Sequence, residues 1–317
     1  MTRPAAGATT AAPLLLDEAA VAARLDMGDL IALMERTLAD FSAGRALQPV
    51  RTVLAIERHA AVLAVMPGYL PGSEALGVKV VSVAPRNAER GLPTHLATVL
   101  LLDPETGALR AIMDGRLITE MRTAAVSAAV TDRVAAPESR VLALLGSGVQ
   151  ARAHLGALSE IRRFDDVRVW SATPEHAARF ADELGCRATD AETAVRGADV
   201  VVTATHAREP VLKGAWLKPG AHVNAIGAPM PTWRELDDAV MANIVIADSR
   251  DAVAHESGDV ILSKAPIFAE AGELFAGLSR CPPGATTVFK SVGLAIEDIA
   301  TAKLVFDRWS ATKQQSR

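Results

Sequence analysis

The sequence predicts an α/β protein in two parts. A Rossmann-type, doubly wound parallel sheet spans residues 120–291, and a discontinuous α+β domain is built from residues 1–119 and 292–317. Three observations predict this. "VLALLGSGVQARAHL" carries Gly146-x-Gly148-x-x-Ala151 directly after an apolar run and at the start of a helical pattern. After Pro137, short Val/Ile/Ala runs alternate with amphipathic stretches, the rhythm of strand and helix in a parallel sheet. The preceding half lacks that rhythm and holds a hairpin signal, "DPETG" between two apolar runs.

The elements follow in order. "LDEAAVAARL" and "MGDLIALMERTLADFSAG" place apolar residues at helical spacing, and Gly44 stops the second. "RTVLAIE", "AAVLAVMPGYL", "ALGVKVVSVA" and "LATVLLLDPETGALRAIMDG" read as strands of an antiparallel or mixed sheet. "LITEMRTAAVSAAVTDRVAA" is an Ala-rich helix bridging the two parts. Strand–helix units then run through "DVRVWSA", "TPEHAARFADELG", "DVVVTAT", "AHVNAIG" and "NIVIADS". "GLAIEDIATAKLVFDRWS" is an amphipathic helix placed to pack back on the first half.

The totals exclude several classes. The chain has 317 residues, half of them hydrophobic, a net charge of −4 and no Lys/Arg block, which argues against nucleic acid or an anionic membrane as partner. No apolar run reaches the ~20 residues of a membrane span. "MTRPAAGATTAAPLLL" reads as a frayed leader rather than a signal peptide. Cys186 and Cys281 have no metal-type spacing and fit a reducing, cytoplasmic setting as packing residues, and no metal site is expected.

In the glycine turn, Gly146 permits the tight bend and Gly148 lets backbone approach a pyrophosphate. Ala151 allows close helix–sheet contact, and the helix N-terminus faces the negative charge. Ser147, Val149 and Gln150 surround that turn, and Thr205 closes a neighbouring strand, so all four are cofactor-binding candidates. The second strand ends Trp170-Ser171-Ala172-Thr173, where NAD-selective sites carry an acid. Neutral Ser171 and Thr173 tolerate a 2′-phosphate and favour NADP(H) over NAD(H), although no arginine in the turn clamps it. The same residues also read as caps of the helix beginning at Pro174.

On the other side of the cleft, Arg51 in "PVRTVL", Lys79 in "GVKVVS" and Arg122 in "EMRTAA" stand out. Arg51 and Lys79 occur within strand-like apolar runs, where an unpaired charge is costly. Either the three converge as a carboxylate clamp, or each snorkels from an exposed edge.

The chain resembles the ornithine cyclodeaminase/mu-crystallin family from about Leu15 to Ser310. The resemblance rests on "MPGY", "GVKVVS", "LATVLL", "ITEMRTAAVSA", "LLGSGVQA", "NAIGAPMPTWRELDD", "ESGDVILS" and "TTVFKSVGLAIEDIATAKL". It looks most similar to the mu-crystallin, or ketimine reductase, branch. The resemblance implies a homodimer joined through the first domain's sheet, a Rossmann domain holding NAD(P)H, and Arg51, Lys79 and Arg122 on the substrate carboxylate. It further implies Thr123 near the cofactor phosphates, Val292 and Gly293 near the nicotinamide, and Glu256 and Trp233 on motifs that line or support the pocket. For the last two, a helix-end hydrogen bond and a packing aromatic are the alternatives.

One departure is informative. Cyclodeaminases of the family carry Asp in "GAD-x-P", where this chain reads Gly227-Ala228-Pro229-Met230-Pro231. They also place a glutamate two residues before Met-Pro, where this chain has Ala64. Ring closure with loss of ammonia needs positioned proton carriers, and Pro229 is none. Hydride transfer to a preformed C=N needs only positioning. The expected activity is therefore reduction of a cyclic 2-carboxylate imine, Δ1-pyrroline-2-carboxylate or Δ1-piperideine-2-carboxylate, to L-proline or L-pipecolate. An alanine-type amino-acid dehydrogenase, an acyclic-imine reductase, a weak ornithine cyclodeaminase and a mu-crystallin-like protein that binds NADPH and a small aromatic acid are the alternatives.

Overall fold

The computed structural model describes residues 12–315, with side chains through residue 312; residues 1–11 of the leader lie outside the described residues. The leader's final residues depart from expectation. Leu14–Leu16 form strand β1, parallel to Ala111–Met113. Leu16 points to the core while Leu15 is exposed, the two-residue alternation of a half-buried strand.

Five more strands complete this first sheet: β2 (Thr52–Ile56), β3 (Ala61–Leu70), β4 (Ala75–Val83), β5 (His95–Leu102) and β6 (Leu109–Asp114). Their order is β1-β6-β5-β4-β3-β2, antiparallel except for β1. The β5–β6 hairpin forms at "DPETG" because Asp103 Oδ1 accepts from the Glu105 and Thr106 amides, 2.9 Å each. "LDEAAVAARL" yields only the short helix α1 (Glu18–Ala22), N-capped by Asp17, since its preceding leucines are drawn into β1. Helix α2 (Met27–Ser42) and the bridging helix α3 (Gly115–Val134) follow the sequence reading closely. The alanines at 124, 125, 128 and 129 of α3 are all buried, and they let α2, α4 (Val149–Ile161) and β5 approach it.

The second sheet is wholly parallel, in the order β13-β12-β14-β11-β10-β7-β8-β9. Its strands are β7 (Val141–Leu145), β8 (Asp166–Trp170), β9 (Arg187–Ala188), β10 (Val200–Thr203), β11 (His222–Ala225), β12 (Ile244–Ala247), β13 (Ile267–Glu270) and β14 (Thr287–Lys290). Runs such as "VVVT" in β10 are buried on both faces, as a parallel sheet covered by helices requires. Helices α5 (Pro174–Leu184), α6 (Ala191–Val195), α7 (Asp238–Met241), α8 (Arg250–Glu256), α9 (Gly258–Ser263) and α10 (Ala271–Phe275) complete this part. The chain runs from β7 outward through β8 and β9, then returns to β10 on the other flank of β7. That reversal opens a crevice at the carboxyl ends of β7 and β10.

Helix α11 (Ala295–Gln315) leaves β14 and packs on β3, β4 and β5 of the first sheet. Gly68 and Gly77, paired across β3 and β4, form the groove that receives it. A Cβ at Gly68 would sit 3.0 Å from Ile299 Cδ1, and one at Gly77 would sit 3.2 Å from Ile299 Cγ1. The close approach brings the start of α11 against Lys79. Among the described residues no helix is long and apolar enough to cross a membrane.

Candidate active site

The glycine turn lies at the crevice. Gly146 has φ +121°, and a Cβ there would meet the Ala204 carbonyl oxygen at 2.5 Å, so only glycine lets β7 turn against the exit of β10. At Gly148, the residue preceding α4, a Cβ would meet nothing within 4 Å, and no side chain caps the helix. The first α4 amides therefore open onto free space, the geometry that receives a phosphate. Ser147 and Gln150 are half-buried at the turn, and the Gln150 side-chain oxygen is buried without a hydrogen-bond partner. Val149 is exposed at the helix head. Ser171 and Thr173 stand at the end of β8, the next strand, where a ribose would lie. Thr173 occupies the N-cap of α5 but makes no side-chain cap, while Ser171 Oγ accepts a long bond from the Thr173 amide, 3.4 Å. These features fit a dinucleotide.

Across the crevice, Lys79 and Arg122 come together. Lys79 on β4 is 3% exposed and Arg122 on α3 is 4% exposed. Lys79 Nζ donates to Asp298 Oδ1 at 2.9 Å, and Arg122 Nε donates to the same oxygen at 3.2 Å. Arg122 Nη1 also donates to Glu297 Oε2, which accepts from the Leu294 amide as well. Burial lowers the Lys79 ammonium to about 8, opposed by Asp298 and reinforced by Arg122 and Arg51. Burial raises Glu297 to about 7 against the pull of Arg122, with Asp248 and Asp298 adding to the rise. For Asp298, burial is outweighed by Arg122 and Lys79, and its carboxyl is held below the usual range.

Arg51 reaches the same region by another route. Its Nη2 donates to the Val292 and Gly293 carbonyls at 3.0 and 2.7 Å and pairs with Glu256 Oε2 at 2.8 Å. Buried Asp248, at the end of β12, organises that turn. Its Oδ2 accepts from Ser291 Oγ and from the Val292 and Gly293 amides, at 2.8, 2.7 and 2.8 Å. Gly293 has φ +81°, and a Cβ would lie 2.7 Å from Arg122 Nη2. Thr123, next to Arg122, is turned inward and donates to the Thr119 carbonyl.

The loop after β11 does contain an acid, eight residues beyond Gly227. Buried Glu235 folds back so that Oε1 accepts from the Thr205 amide at 2.6 Å and from Thr205 Oγ1 at 2.7 Å, while Oε2 accepts from Thr203 Oγ1 at 2.8 Å. Beneath it, buried Lys290 pairs with Asp259 at 3.0 Å and donates to the Gly227 carbonyl. Burial raises the Glu235 carboxyl, with Lys290 opposing. Glu235 thus holds the exit of β10 beside the glycine turn. Trp233 lies outside the ion-pair cluster. Its ring meets His206 edge-on, with centroids 6.4 Å apart, and Arg208 sits over its face at 5.6 Å. Among the described residues no group of three or more His, Cys, Asp or Glu is placed to hold a metal.

The sequence reading missed Asp248, Glu235, Glu297 and Asp298. For the last two a signal existed. "GLAIEDIATA" is apolar or small on all sides of the acids, so a helix there must bury them and needs cations elsewhere.

What this fold and site define is a nicotinamide-dependent oxidoreductase of the Rossmann class. The chain belongs to the ornithine cyclodeaminase/mu-crystallin family, whose model matches residues 12–313. It is 48% identical over 293 residues to ketimine reductase mu-crystallin of Mus musculus, covering 90% of this chain and 93% of that one. The solved structure of Thermococcus litoralis Delta(1)-pyrroline-2-carboxylate reductase, in complex with NADH and L-proline, matches with a TM-score of 0.90 and 38% identity, over 95% of this chain and 98% of that one. An archaeal alanine dehydrogenase dimer with bound NAD matches with a TM-score of 0.88 and 32% identity, over 95% and 97%.

Proposed function

We propose that the protein is an NAD(P)H-dependent imine reductase acting on cyclic 2-carboxylate ketimines, Δ1-pyrroline-2-carboxylate and Δ1-piperideine-2-carboxylate, to give L-proline and L-pipecolate. The observation that carries the reading is the pair of buried cations, Lys79 and Arg122, meeting on one Asp298 oxygen. The likeness to a ketimine reductase and to a pyrroline-carboxylate reductase supports it.

In this reading Lys79 and Arg122, with Arg51, fix the substrate carboxylate. Glu256 restrains Arg51, and Trp233 walls the far side. Gly146, Ser147, Gly148, Val149 and Gln150 receive the pyrophosphate, while Thr123 and Thr205 flank it. Val292 and Gly293 support the nicotinamide end, and Ser171 and Thr173 leave room for a 2′-phosphate, favouring NADP(H). Bound, the reduced nicotinamide supplies hydride to the C=N carbon. Hydride addition discharges the iminium to a neutral secondary amine, which takes one proton from solvent and leaves as a zwitterionic amino acid. Pro229 stands where cyclodeaminases carry their acid, and this supports an imine that arrives already formed.

The proposed division into residues 1–119 with 292–317 and residues 120–291 assigns one sheet to each part, with its first boundary inside α3. A homodimer through the first sheet accounts for exposed Leu15, Val53 and Leu54. Cys186 and Cys281 are both free, which suits a cytoplasmic protein.

The test is loss of reduced-cofactor absorbance with Δ1-pyrroline-2-carboxylate, using NADPH and NADH in parallel. Ornithine with NAD⁺ and pyruvate with ammonia serve as controls. Rapid oxidation with both controls inert is expected, with NADPH preferred. Proline formed from ornithine, or turnover only with pyruvate and ammonia, would overturn the reading in favour of a cyclodeaminase or an alanine-type dehydrogenase.

A further inference from the structure

The clamp is not a reservoir of positive charge. Each cation already has its own carboxylate: Arg51 with Glu256, Lys79 with Asp298, and Arg122 with both Glu297 and Asp298. Asp248 adds a fourth acid through the turn that holds Arg51. Three cations thus face four carboxylates, and the cluster carries a surplus negative charge when all are ionised. A bare anion gains little by entering such a site, because at low dielectric it meets the carboxylates as strongly as the cations.

A second observation points to what does fit. Glu297 and Asp298 side chains are fully buried, and one oxygen of each, Glu297 Oε1 and Asp298 Oδ2, has no hydrogen-bond partner. Buried acceptors left unpaired are costly, and a ligand that brings an N–H donor removes that cost. The two free oxygens belong to the same residues whose other oxygens hold Lys79 and Arg122. Acceptors for a cation and donors for a carboxylate therefore belong to one buried cluster.

Resting on the imine-reductase reading, we propose that the site selects its ligand as a zwitterion, with the carboxylate on Lys79 and Arg122 and the protonated ring nitrogen against the free oxygens of Glu297 and Asp298. Glu297 is then a specificity-determining residue that disfavours ring acids lacking a cationic nitrogen. The same charge balance disfavours 2-oxo acids, which enter as anions.

The groups facing Glu297 are Arg122 from α3, Asp248 from β12, Asp298 on its own helix, and beyond them Lys79 from β4 and Arg51. Protonating Glu297 removes one negative charge from among them and admits anions more readily. Lys79 titrates nearby, but it holds the carboxylate of zwitterion and anion alike, so the ratio of the two affinities isolates Glu297.

The test is calorimetric titration of the NADPH-loaded enzyme with L-proline and with cyclopentanecarboxylate, which replaces the ring nitrogen by carbon. One pH unit above the Glu297 value, proline is expected to bind at least about tenfold tighter. One unit below it, the ratio is expected to shrink as the anion gains affinity. In Glu297→Gln the ratio is expected to be small and flat with pH. Equal binding of the two ligands in the wild type, or a ratio that neither pH nor Glu297→Gln changes, overturns the proposal while leaving the imine-reductase reading intact. The wild-type pH series carries the test if the variant does not fold. Binding of neither ligand overturns the reductase reading and the proposal with it.

Discussion

Replacing Lys79 by Met is expected to lower kcat/KM for Δ1-pyrroline-2-carboxylate by about a thousandfold, ~4 kcal/mol of transition-state binding, with Arg122→Met close behind. The thioether side chains keep most of the buried volume, so the loss reports charge rather than a cavity. Two effects add. With Lys79 in the proposed clamp, the substrate carboxylate would lose a charge-assisted hydrogen bond in a dry site. Asp298, fully buried, also loses one of the two cations that hold its carboxyl below the usual range. Steady-state kinetics with thermal unfolding of the same variants checks both, and an unchanged kcat/KM in a folded Lys79→Met would remove Lys79 from the substrate site. The wild type has a matching pH dependence. Burial places the Lys79 ammonium at about 8, so its positive charge is present below that value and lost above it. The kcat/KM is expected to fall as pH rises through about 8, and that limb is expected to vanish in Lys79→Met.

Asp248→Ala is the second large effect, and it acts at one remove. A single carboxylate oxygen collects the Ser291 hydroxyl and the amides of Val292 and Gly293, and it thereby sets where the next two carbonyls point. Those carbonyls hold Arg51. Without Asp248 two buried amides lose their acceptor, at about 1–3 kcal/mol each. Gly293 at φ +81° has no local reason to keep its turn. The expected result is a fall of roughly a hundredfold in kcat/KM, with a lower Tm. Asp248→Asn retains one oxygen acceptor and is expected to recover part of both. Full activity in Asp248→Ala would show that the Ser291–Gly293 turn is held by something else.

The sequence made some of this legible for physical reasons. Gly146 and Gly148 announce themselves because a tight turn and a close phosphate approach exclude side chains, and those constraints act over a few residues. The β5–β6 hairpin shows for the same reason, since Asp103 closes it locally. The cations Lys79 and Arg122 stand out as charges in apolar runs. Their partners do not, because Asp298 lies 219 residues from Lys79 and reads as one acid in a helix until the fold brings it in. Asp248 and Glu235 are hidden similarly: each works by accepting backbone or hydroxyl hydrogens, which no side-chain pattern records. β1 was missed because three leucines pair as a strand only once β6 exists beside them. Pro229 was informative through what it cannot do, but the acid that orders its loop, Glu235, serves architecture.

The return of α11 to the first sheet has a bearing on how the chain is made. The glycine groove of β3 and β4 and the apolar face around it leave the ribosome long before Ile299. At about 5–20 residues per second, the gap between Lys79 and Asp298 takes roughly 10 to 40 seconds to translate. For that interval the nascent first half lacks the helix that covers β3 and β4 and has no Asp298 for its buried lysine, and β14, which joins β11 to β12 in the parallel sheet, is still to come as well. The buried ion-pair cluster of Lys79, Arg122, Glu297 and Asp298 is therefore completed only when translation has carried α11 clear of the exit tunnel.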